Sequence, residues 1–130
     1  MCIIAAKAAG VAMPDRQTIR NMWDHNPDGA GIMYVENGMV RVEKGFMKYK
    51  SFAKKLDQLE KRLDMTKTPV VMHFRITTHG GTKPENCHPF PIYHKNKMAT
   101  KTDLAMAHNG IMRQFEPPRG SDINDTQVFI

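Results

Sequence analysis

Residues 30–43 read AGIMYVENGMVRVE and contain two stretches of strand length separated by Asn37-Gly38. An Asn-Gly pair favours a tight two-residue turn because both residues tolerate positive φ. The residues after this pair alternate between apolar and polar side chains, as a strand with one buried face does. The stretch is the clearest hairpin signal in the sequence, and it predicts antiparallel pairing of its two halves.

Further strand and helix patterns flank this hairpin. Residues 1–8 and 70–75 are apolar runs of strand length. Residues 14–25 predict a helix that Pro14-Asp15-Arg16 opens, because apolar side chains within it recur at i, i+3 and i+4. Residues 26–29, Asn-Pro-Asp-Gly, are a strong turn signal. The mixture of strands and helices indicates an α+β fold.

A second helix is predicted with Ser51 as its N-cap. Four apolar side chains recur at helical spacing, with Lys and Glu between them: Phe52, Leu56, Leu59 and Leu63. We interpret this stripe as core, the alternative being a partner-binding surface. Residues 121–130 have the pattern of a capped helix start.

The composition is that of one ordinary globular domain of 130 residues, with 41% hydrophobic and 25% charged residues. The net charge of +6 would allow nucleic-acid binding, but the basic residues are scattered and partly interleaved with acidic ones. We therefore favour a solvated basic face over a nucleic-acid patch. No apolar run approaches the roughly 20 residues that span a bilayer, and no signal peptide is recognisable. Two cysteines are too few for a disulfide framework, which favours a reducing, cytoplasmic compartment.

Cys2 is a candidate nucleophile because of its position in the chain. Initiator methionine is commonly removed before a small second residue, and removal would leave Cys2 with a free α-amine beside its thiol. An α-amino group has a reference pKa near ~8, so one residue could supply both nucleophile and general base. The alternative is that Cys2 is a small core residue, as free cysteine often is.

The stretch LAMAHNGIM at residues 104–112 is an apolar run of strand length that ends in His-Asn-Gly. Most Asn-Gly pairs simply form tight turns. Here Asn109 also offers a side-chain N–H, and Gly110 offers a bare backbone N–H. Two such donors at one strand end could stabilise a developing oxyanion, provided that a nucleophile lies nearby.

Arg75 stands where the apolar run at 70–75 leads into the small and hydroxyl-rich sequence 76–82. Its guanidinium is a planar fork that matches a carboxylate. A structural ion pair is an equally good interpretation. Five side chains suggest a metal site by composition alone: His73, His79, Cys87, His88 and His94. Their spacing matches no zinc pattern, so we expect no metal.

Six separated pieces of sequence occur in a recognisable order. They are Cys2, NPDGAG at 26–31, HFRITTHG at 73–80, NCHPF at 86–90, HNG at 108–110 and the segment 122–128. No single piece is specific, but the ordered set with cysteine at position two resembles the class II glutamine amidotransferases, which are N-terminal-nucleophile hydrolases. The resemblance implies a four-layer α/β/β/α sandwich with antiparallel sheets. It also implies that residues 1–130 are the N-terminal portion of a type-2 glutamine amidotransferase domain, incomplete at its C-terminus.

The resemblance implies catalytic roles for three residues. Cys2 would be the nucleophile, with its α-amine as general base, and Asn109 and Gly110 would form the oxyanion hole. Four further residues would bind glutamine: Arg75, Thr78, His79 and Asp125. Among these, Arg75 would bind the α-carboxylate and Asp125 the α-ammonium. An amino acid held at both charged ends would present its amide to the thiol in a fixed geometry.

The implied activity is hydrolysis of the glutamine side-chain amide through a Cys2 thioester, with no cofactor. The sequence has no Gly-x-x-x-x-Gly-Lys-Ser/Thr phosphate loop, so the ammonia acceptor is expected on a synthetase domain or subunit. Two alternatives remain. One is another N-terminal-nucleophile amidohydrolase, and the other is a non-catalytic binding or regulatory protein on a truncated amidotransferase scaffold.

Overall fold

A computed structural model describes residues 1–130. Its elements, in chain order, are β1 Ile3–Lys7, α1 Arg16–His25, β2 Ala30–Glu36, β3 Met39–Phe46, α2 Tyr49–Arg62, β4 Val70–Phe74, β5 Phe90–Pro91, β6 Ala99–Thr102, β7 Ala105–Met106 and α3 Asp125–Phe129. Single 3-10 turns lie at Pro84–Asn86 and Arg113–Phe115. No helix is both long enough and apolar enough to cross a membrane.

A five-stranded antiparallel sheet with the order β1-β4-β2-β3-β6 forms the centre of the protein. The predicted hairpin is confirmed: Glu36 pairs with Met39, and Asn37 and Gly38 have φ values of 52° and 74°. Strands β5 and β7 form a separate two-stranded antiparallel ribbon. The predicted α+β class with antiparallel sheets is thus confirmed, whereas the four-layer sandwich remains a prediction.

Helices α1 and α2 pack against one face of the sheet, which we call the helical face. Alternate residues of the two central strands point to it, because successive side chains of a strand lie on opposite faces. The core cluster consists of Ile19, Trp23, Ala30, Ile32, Tyr34, Phe52, Leu56, Leu59, Met65, Val70, Met72 and Phe74. The predicted interpretation of the α2 stripe as core is confirmed for Phe52, Leu56 and Leu59, which are fully buried.

The opposite face, which we call the site face, carries polar residues at the same level of neighbouring strands. Gly31 of β2 pairs with His73 of β4 on one side and with Lys44 of β3 on the other. Directly paired residues share one face of a sheet. Lys44 is buried, and its ammonium donates to the carbonyls of Glu85 and Lys95, each at 2.9 Å. The loops that follow β4 therefore cover this face.

The start of α1 confirms the sequence prediction, and the start of α2 corrects it. Asp15 caps α1 by accepting a hydrogen bond from Thr18 N at 2.7 Å. Helix α2 begins at Tyr49 with Lys48 as its N-cap and no side-chain cap, so Ser51 lies inside the first turn rather than at the cap. Tyr49 packs against the core, and burial of this aromatic ring favours the earlier start.

The stretch 104–112 differs most from its predicted form. Only Ala105–Met106 pair as a strand, and Leu104 is 57% exposed. Of the Asn-Gly pair, Gly110 alone has a positive φ, at 117°, and no second strand follows it. The predicted tight hairpin turn is therefore wrong, because residues 107–112 form a loop held by side chains from other parts of the chain.

Candidate functional site

Cys2 lies at the end of the sheet where β1 meets β4. Ile3 pairs with Phe74, so Cys2 and Arg75 are neighbours at the same end of this strand pair. Cys2 is half-buried, and its thiol lies 3.6 Å from the carbonyl oxygen of Ile76. The side chain of Asn109 donates to the carbonyl of Cys2 at 2.7 Å. Two of the predicted catalytic residues, 107 positions apart in sequence, are therefore in contact.

The turn at residues 26–29 fixes both the N-terminus and the start of the Arg75 loop. Asn26 is buried and donates through its side chain to the carbonyl of Met1 at 2.7 Å. The carboxylate of Asp28 accepts from the backbone N–H of Thr77 at 2.8 Å. Backbone hydrogen bonds of 2.8 and 3.0 Å further join Arg75 to this turn. The bonds of Asp28 and Arg75 do not involve Met1, so they keep the backbone beside Cys2 in one arrangement whether or not Met1 is present.

Arg75 is only 3% exposed, and its guanidinium binds carbonyls of the loop that follows it. It donates to the carbonyl oxygens of His79 and Gly81, each at 2.7 Å. Burial lowers the pKa of Arg75, while the negative charge of Asp28 opposes that shift. Because an arginine has five N–H donors, these two bonds leave further donors for a substrate carboxylate.

Thr78 and His79 line one side of an open polar cleft. The cleft has a volume of about 720 Å³, is formed by residues 78–81 and 116–122, and has no hydrophobic lining residue. Thr78 is exposed, and Nε2 of His79 lies 3.5 Å from a carboxylate oxygen of Glu116 on the opposite side. Cys2 and Asn109 are not among the lining residues. The predicted substrate contacts thus divide between this cleft and the Cys2 end of the sheet.

Residues 108–112, which we call the Asn109 loop, are held at three points. The backbone N–H of His108 donates to Nδ1 of His88 at 3.2 Å, and the side chain of Asn109 binds Cys2. At the far end, Met112 N–H donates to Asp125 Oδ2 at 2.5 Å. The other carboxylate oxygen of Asp125 accepts from Thr126 N–H at 2.9 Å. In this structure, Asp125 therefore positions the loop rather than facing open solvent.

The five side chains considered for a metal site do not assemble into one. No three His, Cys, Asp or Glu side chains form a group that could hold a metal ion. His73 and His88 are buried and stack with ring centroids 4.4 Å apart. Burial raises the pKa of Cys87 to about 11 and lowers that of His73 to about 4. Cys87 therefore behaves as a small buried residue with its thiol protonated at neutral pH.

The sequence assigned no role to Asn26 or Asn86, although the side chains of both bind backbone carbonyls near the site. The Asn26 bond depends on the presence of Met1. Asn86 is buried, and its side chain donates to the carbonyls of Gly80, Gly81 and Asp122. It thereby joins the glycine-rich loop to the segment that precedes α3. The only sequence signal was that each Asn begins one of the ordered motifs, since an amide that binds distant carbonyls leaves no local pattern.

The family profile described as "Glutamine amidotransferases class-II" matches residues 13–126. This range includes the motifs that carry Arg75, Asn109 and Asp125, and it begins after Cys2. No curated protein and no solved structure matches the chain. The matched range covers most of the 130 residues, so the chain belongs to the class II glutamine amidotransferases.

Proposed function

We propose that this protein hydrolyses the side-chain amide of glutamine through a thioester on Cys2. The observation that carries the proposal is the 2.7 Å hydrogen bond between the Asn109 side chain and the Cys2 carbonyl, at the strand end next to Arg75. A nucleophile, an amide donor and a buried cation at one sheet end are complementary to the amide and carboxylate of glutamine. Family membership supports the same substrate.

The proposed cycle begins once Met1 has been removed, because the nitrogen of Cys2 is otherwise part of a peptide bond. The α-amine takes the thiol proton as the sulfur attacks the amide carbon. Asn109 and Gly110 stabilise the tetrahedral oxyanion, and each such donor contributes roughly 3 kcal/mol in related acyl transfers. The amine then protonates the leaving ammonia. Water hydrolyses the thioester and releases glutamate.

The proposed binding of glutamine uses the charged groups around this centre. Arg75 would bind the α-carboxylate with the N–H groups that do not contact His79 or Gly81. Asp125 would bind the α-ammonium, and Thr78 and His79 would contact the substrate from the polar cleft. Ammonia would pass to an acceptor on a synthetase domain or subunit.

Release of glutamate from glutamine tests the proposal. Intact mass first establishes that the sample lacks Met1. Cys2→Ala should abolish turnover, whereas Cys87→Ala should retain it, because the Cys87 thiol is fully buried and protonated and has no part in the proposed cycle. A glutamine analogue with an electrophilic side chain should label Cys2 in the Cys87→Ala protein. Absence of both turnover and label in protein without Met1 would overturn the proposed activity.

A non-catalytic binding role is favoured by one observation. Asn109 and Asp125 already have protein partners, and Arg75 binds two loop carbonyls. An Asn109 amide that donates to the Cys2 carbonyl is not free to stabilise an oxyanion, so this contact fits binding without turnover. Calorimetric titration with glutamine distinguishes the two roles. Binding without glutamate release in processed protein would support the non-catalytic role, and turnover would exclude it.

A further inference from the structure

Two contacts of its imidazole and one of its backbone carbonyl fix His88 on the site face. It is 6% exposed and stacks on His73, with an interplanar angle of 15°. The ring of Phe90 packs against it at 4.7 Å with the planes inclined by 74°. The carbonyl of His88 lies so close to Gly31 that a Cβ at Gly31 would stand 2.1 Å from it. The ring therefore has little freedom to move.

The hydrogen bond from His108 N–H to His88 Nδ1 requires one protonation state. A backbone N–H can only donate, so Nδ1 must carry a lone pair, and the proton of the neutral ring must be on Nε2. Burial lowers the pKa of His88 well below its usual value, and the nearby basic groups of Lys44 and Arg75 act in the same direction. His88 is therefore neutral near pH 7, and Nδ1 remains an acceptor.

The backbone N–H that His88 binds belongs to His108, the residue directly before Asn109 in the chain. The side chain of Asn109 binds Cys2 at 2.7 Å. Resting on the function proposed above, we propose that His88 is a positioning residue: its Nδ1 accepts the His108 N–H and so sets where Asn109 places its side-chain donor. His88 itself touches neither the thiol nor, in this scheme, the substrate. Its effect should appear in the chemical step and not in glutamine binding.

Two variants of His88 separate the hydrogen bond from the packing. His88→Asn places Oδ1 where Nδ1 stood and keeps an acceptor for His108 N–H. His88→Leu has the same branching but no acceptor, and both variants lose the imidazole ring. We expect kcat of His88→Leu to fall about 100-fold with KM nearly unchanged, because a small misplacement of a catalytic group has effects of that size. The kcat of His88→Asn should be at least about tenfold higher than that of His88→Leu.

The unmodified protein supplies an independent measurement, which stands even if a variant fails to fold. Nitrogen-15 spectra of histidine-labelled protein should show the Nε2–H tautomer of His88 at neutral pH. An Nδ1–H tautomer would overturn the inference without any reference to turnover. Equal losses of kcat in the two folded variants of an active parent would overturn this inference alone. An inactive parent that lacks Met1 would instead overturn the proposed function and the kinetic role of His88 with it.

Discussion

The helical face of the central sheet packs apolar side chains against two helices, whereas the site face packs polar side chains against loops. Both faces come from the same strands: in β4, Met72 and Phe74 contact the helices, and His73 points the other way. Apolar packing is non-directional and spreads its stabilisation over many contacts. A polar face depends on individual hydrogen bonds, so each partner there has a specific and local effect.

The site face achieves its order by binding loop carbonyls with side-chain donors. Lys44, Arg75 and Asn86 each donate to at least two backbone carbonyls of loops. Irregular loops cannot pair their carbonyls as strands do, and a buried carbonyl without a partner is costly. These residues therefore replace secondary structure where the site needs an irregular backbone. The two faces should respond differently to substitution.

Phe52→Ala should give the largest loss of stability, because it empties the centre of the helical face. The Phe52 ring is fully buried and lies within 5.4 to 6.5 Å of the rings of Phe74, Phe46 and Trp23. Removal of a buried Phe side chain costs about 3–5 kcal/mol. Denaturant unfolding measures this loss. Tyr93→Ala, at a site 68% exposed, is the aromatic control and should change the unfolding free energy by less than about 0.5 kcal/mol.

That contrast would fail if Tyr93→Ala were as destabilising as Phe52→Ala. The helical face would then not be the main source of stability. A loss of unfolding free energy below about 1 kcal/mol in Phe52→Ala would also contradict the prediction. It would mean that the surrounding rings move to fill the cavity.

Acidification should destabilise the site face through His73, with the second largest effect. Both ring nitrogens of His73 are buried without a partner, and burial lowers its pKa from 6.5 to about 4. In this range the unfolded chain binds a proton that the folded chain does not, so stability falls as the pH falls from 6.5 towards 4. Protonation of His73 should lower the free energy of unfolding by roughly 3 kcal/mol once the pH lies below both pKa values. Unfolding free energies measured at a series of pH values test it.

His73→Leu supplies the matched control, because it fills a similar volume without a titratable group. Its stability should depend less on pH between 6.5 and 4 than that of the parent protein. The buried His88 shifts in the same direction, so part of the slope should persist. Identical pH profiles for the two proteins would show that His73 does not carry the effect.

The helical face was the part of the fold most accessible from sequence. The hairpin at 30–43 and the apolar stripe of α2 depend on local periodicity, and both are confirmed. Strand β6 was missed because Ala99–Thr102 reads Ala-Thr-Lys-Thr, which has no apolar alternation. As an edge strand it pairs only with β3, so it needs little apolar surface of its own. The side chains on its more buried side, Thr100 and Thr102, are polar, so a search for apolar alternation does not detect this strand.

The sequence predicted which residues belong to the candidate site but not which contacts they make. The ordered motifs named Cys2, Arg75, Asn109 and Asp125, and the structure brings Asn109 to Cys2. The binding of loop carbonyls by Arg75, and of Met112 N–H by Asp125, could not be anticipated. These bonds join irregular segments whose positions depend on the whole fold. No periodicity in the sequence records such positions.

Gly31→Ala should separate stability from activity on the site face. A Cβ at Gly31 would lie 2.1 Å from the carbonyl of His88 and 2.8 Å from Lys44 Cβ. Overpacking of this kind costs about 1–3 kcal/mol, and the backbone of His88 must move to relieve it. Glutaminase activity should therefore fall further than the loss of stability explains. Denaturant unfolding and glutamate release on the same sample compare the two effects.

Gly10→Ala is the control for the effect of a lost glycine. Gly10 has a φ of 86° and no atom within 4 Å of an added Cβ, so only its backbone conformation is disfavoured. We expect a loss of about 1–2 kcal/mol and no change of activity in the folded protein. Equal effects on activity from both substitutions would contradict a specific role for the Gly31–His88 contact.

Asn124→Ala should give the smallest change in global stability, about 1 kcal/mol, with a local effect at the Asn109 loop. The side chain of Asn124 caps α3 by accepting from Gln127 N–H at 3.0 Å, and the side-chain oxygen of Gln127 accepts from Asn124 N–H at 2.8 Å. The same helix begins with Asp125, which holds Met112 N–H. Without its cap the short helix should fray, and amide hydrogen exchange at Met112 should accelerate while exchange in β4 does not. Asn124→Asp keeps the capping oxygen but loses the bond that the Asn124 amide donates to the Asn86 carbonyl at 3.2 Å. It should protect Met112 as the parent does if the cap governs the loop. Faster exchange in α3 with unchanged exchange at Met112 would show that the loop is held independently of the helix.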